Sequence, residues 1–446
     1  MAFRNFYSKP FNIQISLNHH HLRPSLLSTC LIVQKRTGTA KPKIKKSSAN
    51  TQKNKGFLKK NLKKKSTTED VETPLSTSFT KNKELYLSPP VIALEEMLPD
   101  VYTDENIGKI YRFPPEIISK IDIFKLPPIL ERELSLLPYP SLAIRQSSIQ
   151  LVNLIENASQ KSSAETRIIL SGGMGVGKSA LLLQTINYSL CKPWIVIYIP
   201  DAIKFVNSSY PYIKNKITNE FIQPTLSAEF LKQIKAVNAK LLQDITLTRD
   251  YKLNRHIVKI NSPVIELMNI GIKDTSCAPQ AFEIFLDEIG KNVNYPVLLA
   301  VDVINAFYTA TDYTDIDDTY LEPDRLSLSR TILDYFSGKR DFTYGAVIGA
   351  LSQCYKPYIS KPLNIALGLV MPSPWKHYPQ NLLNYAVGLQ RFDVPNYSQT
   401  EAKGVLDYYC DGSSILQQSR DKLFQKTFIA TNGNPRKLYL SCWKGL

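Results

Sequence analysis

The sequence predicts an α/β fold, a parallel sheet flanked by helices, on three observations. First, a glycine-rich turn, Gly172-Gly173-Met174-Gly175-Val176-Gly177-Lys178-Ser179, follows the apolar run Ile168, Ile169, Leu170 and precedes a helical stretch over 180–189. Second, the runs 194–201 and 296–302 are almost continuously apolar and rich in β-branched residues, as strands buried on both faces must be. Third, amphipathic helical segments over 226–245 and 279–291 separate these runs; alternation of strand and helix is the pattern of a parallel sheet.

The turn fits the phosphate-loop pattern G-x-x-x-x-G-K-[S/T]. Glycines let backbone N–H groups wrap a polyphosphate, and the helix start, with Ala180 just inside it, adds unpaired N–H groups and the positive end of its dipole. Lys178 is expected to reach the outer phosphates and Ser179 to ligate Mg²⁺. A strand-to-helix turn that binds nothing is the alternative. The run 296–302 ends in Asp302, whose carboxylate is expected beside the loop, holding Mg²⁺ through water; without the loop it would read as an ordinary turn Asp. Val303 follows, where many hydrolytic ATPases carry Glu. Valine neither orients water nor accepts a proton, so hydrolysis by that route is disfavoured and binding is not.

The remaining elements follow in order. Residues 146–156 have helical spacing (Ile149, Val152, Ile155), and 344–351 read as a further buried strand. That strand ends at Ser352 and Gln353, polar residues that would face a terminal phosphate in an AAA-type arrangement or merely cap the strand. From about residue 376 the chain reads as a helical lid over 376–446, with helices over 401–409, 413–425 and 435–443. Gly433-Asn434-Pro435-Arg436 suits a helix start, from which Arg436 can point back at the phosphates. The nucleotide domain is expected over 146–375. The proline-rich stretch 69–145 (Pro89-Pro90, Pro114-Pro115, Pro127-Pro128) is expected to be an extended wrapping segment with few regular elements. Asn215-Lys216-Ile217-Thr218 lacks the Asp of a guanine-reading N/T-K-x-D motif, so the residues leave the base open.

Charge is divided sharply. Residues 1–68 contain 16 Lys and Arg and no Asp or Glu, leaving 39 basic and 39 acidic residues in the rest of the chain. Residues 1–36, acid-free with interspersed Arg, Phe and Ser, have the composition of a mitochondrial presequence; a basic arm on a cytosolic or nuclear protein is the alternative. His19, His20 and His21 fall in that leader and are read as incidental. Residues 37–68 hold eleven Lys or Arg and few apolar groups. Such a segment cannot fold alone; its expected partner is a polyanion, and the alternative is a solvated linker. The six cysteines (30, 191, 277, 354, 410, 442) form no C-x-x-C pair, which argues against a disulfide framework or zinc site. No apolar run is long enough to span a membrane.

The phosphate loop, the runs 194–201 and 296–305 and Asn434-Pro435-Arg436 together resemble the death-associated protein 3 family, the P-loop protein of the mitochondrial ribosomal small subunit. The resemblance runs from about residue 121 to the C-terminus. It implies a P-loop NTPase (AAA-like) domain with a C-terminal helical lid in the mitochondrial matrix. It implies GTP or GDP as ligand, with ATP possible, together with Mg²⁺; Gly173, Gly175, Gly177, Lys178 and Ser179 would contact phosphates, and Asp302 would lie near the metal. The implied partners are small-subunit ribosomal RNA, other small-subunit proteins and the large subunit through intersubunit bridges, with no membrane. The expected role is structural, not enzymatic. The rival is an active matrix NTPase acting on RNA, which would need a water-positioning group such as Glu288 or Gln353.

Overall fold

The computed structural model describes residues 93–135, 137–215, 219–411 and 417–444. The presequence expected over 1–36, the arm over 37–68, the start of the proline-rich stretch and residues 216–218 lie outside the described residues.

Five parallel strands carry the site: β1 (Arg167–Ser171), β2 (Ile195–Ile199), β3 (Val297–Asp302), β4 (Gly345–Ala350) and β5 (Gln390–Asp393), in the order β5-β1-β4-β3-β2. Every residue of β2, β3 and β4 is buried, so helices cover both faces. The register aligns Ala350 with Asp302 and Ile199 with Val301, so the C-terminal ends of the strands open at one edge. In open parallel sheets ligands bind at that edge.

The helices that position the site are α1 (Pro115–Phe124), α2 (Pro128–Ser135), α3 (Gln146–Ala158), α4 (Lys178–Cys191), α5 (Pro224–Leu242), α6 (Val264–Lys273), α7 (Ala278–Gly290), α8 (Ser327–Ser337), α9 (Lys361–Ala366), α10 (Gln380–Tyr385), α11 (Gln399–Asp411), α12 (Gln417–Thr431) and α13 (Pro435–Lys444). Helix α4 packs across β2, β3 and β4, and α5 packs on β2. Inside α5 the buried Asn238 leaves helical geometry (φ −104°, ψ 15°). Its amide accepts from Val196 N and donates to Val196 O, both at 2.8 Å. Asn238 thus stands in for a sixth strand, satisfying backbone groups that the edge strand would otherwise bury unpaired.

Two expectations are corrected. The stretch 69–145 was expected to hold few regular elements, yet its described part carries α1, α2 and an antiparallel pair, Ile110–Arg112 with Ser141–Ala143. The prolines mislead because Pro115 and Pro128 are the first residues of their helices, where the missing N–H costs nothing. The helical lid expected over 376–446 also contains α10 and the sheet strand β5. Only Phe392 in Gln390–Asp393 is apolar, and Arg391 pairs with Asp393 at 2.6 Å. This is a charged edge strand, so neither alternation nor hydrophobicity marks it. The lid proper is α11 to α13, with its own small core of Ala402, Val405, Leu406, Tyr409, Leu438 and Cys442.

Candidate functional site

The glycine turn runs from the end of β1 into α4, where the sequence placed it. Gly172, Gly175 and Gly177 have φ of 144°, 79° and 95°. At two of these positions glycine is also required by proximity. A Cβ on Gly172 would lie 2.5 Å from the carbonyl oxygen of Val394, just after β5; one on Gly175 would lie 2.9 Å from Arg436 Cβ and Asn434 Oδ1.

The loop's carbonyls are all engaged. Lys178 Nζ donates to Gly172 O at 2.9 Å and Gly173 O at 2.7 Å. Asn434 Nδ2 donates to Met174 O at 3.0 Å, and Arg436 N to Gly175 O at 3.1 Å. Arg145 donates to Val176 O at 2.7 Å, and Leu181 N to Gly177 O at 2.9 Å. The N–H groups are the loop's unspent polar atoms: among the described residues, none from 173–177 donates to a protein acceptor. A ring of backbone donors with no acceptor of its own is what an anion requires.

Asp302 ends β3 beside the loop and is 2% exposed. One carboxylate oxygen accepts Val303 N at 2.8 Å; Oδ2 has no well-formed hydrogen bond, although the Ser179 hydroxyl lies close enough to favour its charged form. Burial pushes the carboxyl up to about 6, against the Ser179 and Val303 bonds, and Asp201 adds to the rise. Asp201 itself, after β2, lines the same cleft and is raised by burial. Burial lowers Lys178, with Asp302 opposing. An orphaned carboxylate oxygen beside a hydroxyl fits Mg²⁺, which takes one or two protein oxygens and fills its shell with water and phosphate. Among the described residues no group of three His, Cys, Asp or Glu could cage a metal alone. Val303 is left-handed (φ 57°). That conformation is costly for a β-branched residue, and the short bond from its N–H to Asp302 helps hold it there.

The cleft, about 210 Å³, runs from the loop to an apolar wall of Pro127, Pro128, Ile129, Leu130, Leu134 and Leu142. Gly175, Gly177, Lys178, Ser179, Ala180, Asp302, Val303, Ser352 and Gln353 line it, and Met174 stands at its mouth, 59% exposed. Gly172, Gly173 and Val176 shape the loop from behind. Arg436 reaches the loop, but its guanidinium turns to Glu133 of α2, with Nε 3.0 Å from Oε1. Glu288 lies elsewhere: it accepts from Thr248 N at 2.6 Å, Thr248 Oγ1 at 2.8 Å, Tyr251 Oη at 2.6 Å and Lys291 Nζ at 2.8 Å. A carboxylate so fully bonded on the far part of α7 cannot position water in the cleft, and that candidate role is withdrawn.

Three residues went unnoticed in the sequence. Arg145, 5% exposed, also bonds Pro395 O at 2.7 Å, lies 3.6 Å from Glu401 and stacks on Tyr397; a lone Arg before a helix gives no signal. Glu401 in turn accepts Gln146 N and Ser398 N. Asp201 could have been found, since it follows its strand by two residues at the same edge as Asp302.

A phosphate loop between the first strand and its helix, a sheet ordered 5-1-4-3-2 and a C-terminal helical lid whose Asn434-Pro435-Arg436 touches the loop define a P-loop protein of AAA type. The family described as mitochondrial ribosomal death-associated protein 3 matches residues 142–441, and the chain belongs to that family. Relatives named small ribosomal subunit protein mS29 are 25% identical over 362 residues in Schizosaccharomyces pombe, covering 78% of this chain and 75% of that protein. In Mus musculus the identity is 23% over 386 residues, covering 82% and 94%. Among solved structures, the ORC2 protein of Aeropyrum pernix aligns with a TM-score of 0.34 and 12% identity over 67% of this chain and 60% of that one; the fold assignment rests on strand order, not on this alignment.

Proposed function

We propose that this chain is a component of the mitochondrial ribosomal small subunit, resident in the matrix, that holds a purine nucleotide with Mg²⁺ and turns it over slowly or not at all. The nucleotide reading is carried by the loop whose every carbonyl is engaged while its N–H groups are free. The phosphates would sit on those N–H groups, with Lys178 released from the carbonyls of Gly172 and Gly173. Ser179 and Asp302 would hold the metal, which supplies charge neutralisation. Arg436 would leave Glu133 for the outer phosphate. GTP or GDP is preferred to ATP: guanine offers the adjacent N1–H and N2–H donors to both oxygens of Glu133, the carboxylate in an otherwise apolar wall, whereas adenine offers only its N6 amino group beside the N1 acceptor. The ribosomal setting follows from the family and from its mS29 members; ribosomal RNA and neighbouring small-subunit proteins are the partners, and contact with the large subunit is part of the same proposal.

Val303, in place of a carboxylate, supports holding over hydrolysis. Gln353, exposed in the cleft, is the one residue that favours the rival reading of an active NTPase. In purified chain, Mg²⁺-dependent binding should be lost in Lys178→Ala, and GDP should outcompete ADP. Steady-state turnover at the rate of AAA motors, abolished by Lys178→Ala, would overturn the holding role. Failure to co-migrate with the small subunit in a magnesium-containing gradient would overturn the ribosomal one.

A further inference from the structure

From residue 342 to 392 the chain contains no Asp or Glu, while Lys356, Lys361, Lys376, His377 and Arg391 fall within it. The fold gathers part of this stretch around a second groove of about 410 Å³, lined by Tyr308, Ile359, Lys361, Lys376, His377 and Tyr378 and sharing no lining residue with the nucleotide cleft. Beside it the loop between α9 and α10 holds Trp375 91% exposed and Met371 89% exposed. Pro372, Pro374 and Pro379 restrict the backbone of that loop, so less backbone freedom is lost when a partner engages the indole. Leaving a Trp side chain in water forgoes burial on the order of 2–3 kcal/mol, which a partner recovers.

No Asp or Glu lines the groove, and among the described residues neither Lys361 nor Lys376 forms an ion pair. Lysine is depleted at the cores of protein interfaces, whereas an aromatic platform flanked by cations is the recurrent solution for single-stranded nucleic acid. We propose that this groove binds a single-stranded segment of RNA, one base stacking on Trp375 and the adjoining phosphates lying against Lys361 and Lys376. The choice of RNA over DNA rests on the ribosomal reading above; the groove itself does not.

The test uses the full-length chain, so that the basic arm's contribution is common to every variant, and a 4-thiouridine-bearing RNA 12-mer. Trp194 is buried, and the emission of Trp375 is taken as the difference between wild type and Trp375→Phe. RNA should quench that emission and should photo-crosslink within 356–379. Lys361→Ala/Lys376→Ala should raise the half-quenching concentration about tenfold and flatten the salt slope by about 1.4, two phosphate contacts at ~0.7 each. Trp375→Ala should reduce crosslinking at least fivefold. Nucleotide binding at the other cleft, unchanged in all three, certifies the fold independently. Absence of quenching, or crosslinks that ignore all these substitutions, would overturn the proposal. So would crosslinking of the loop in assembled subunits to protein alone.

Discussion

Burying Asp302 with one oxygen unpartnered places a carboxyl that titrates near 6 at the end of β3. The folded state keeps its proton where the unfolded chain has already lost it. Stability therefore declines as pH rises from the ordinary carboxylate range to about 6, a penalty of roughly 2–3 kcal/mol that persists above that pH. Asp302→Asn should melt at or above wild type at pH 7.5 without ligand, yet lose Mg²⁺-dependent stabilisation by nucleotide; a lower melting point without ligand would make the carboxylate structural. Glu288 has the opposite sign. Burial alone would raise it, but the bonds from Lys291, Tyr251 and Thr248 outweigh burial and hold it below the usual range. Its contribution is present at neutral pH and disappears as pH falls below that range. Glu288→Gln should flatten the acid limb of the stability profile without changing nucleotide affinity, as thermal melts from pH 3 to 7 would reveal.

At the scale of elements, the P-loop is braced by parts far apart in sequence. Arg145 before α3, Pro395 after β5, Glu401 in α11 and Asn434 and Arg436 at α13 all meet behind or beside it. Glu401→Ala would leave the buried Arg145 guanidinium without its counter-ion and the N–H groups of Gln146 and Ser398 without an acceptor. A loss of about 3 kcal/mol is expected, read by urea unfolding, together with weaker nucleotide binding because the lid and loop lose a shared anchor. If stability and binding are both unchanged, the brace is not what shapes the loop. The sequence disclosed β1 to β4 because buried strands are written as apolar runs. It concealed β5, α1 and α2, since an edge strand needs no apolar face and an N1 proline resembles a loop proline.

Over the whole molecule, the sheet and the lid have separate cores and meet around the proposed ligand. A nucleotide bound only to the folded state, at a hundredfold excess over its dissociation constant, adds about 2.7 kcal/mol. The melting temperature should rise by several degrees with GDP and Mg²⁺ and not at all in Lys178→Ala; an equal rise in that variant would place the ligand elsewhere. The sequence by itself determined the loop chemistry, Asp302, Val303 and the concentration of positive charge before residue 69, because glycine geometry, strand hydrophobicity and net charge are local properties of the chain. Only the tertiary structure decided that Arg145 and Glu401 brace the loop, that Arg436 rests on Glu133, that Glu288 belongs to the scaffold and that Trp375 stands beside a basic groove. Each of these depends on residues tens to hundreds of positions apart being brought within contact, and no local pattern encodes that proximity.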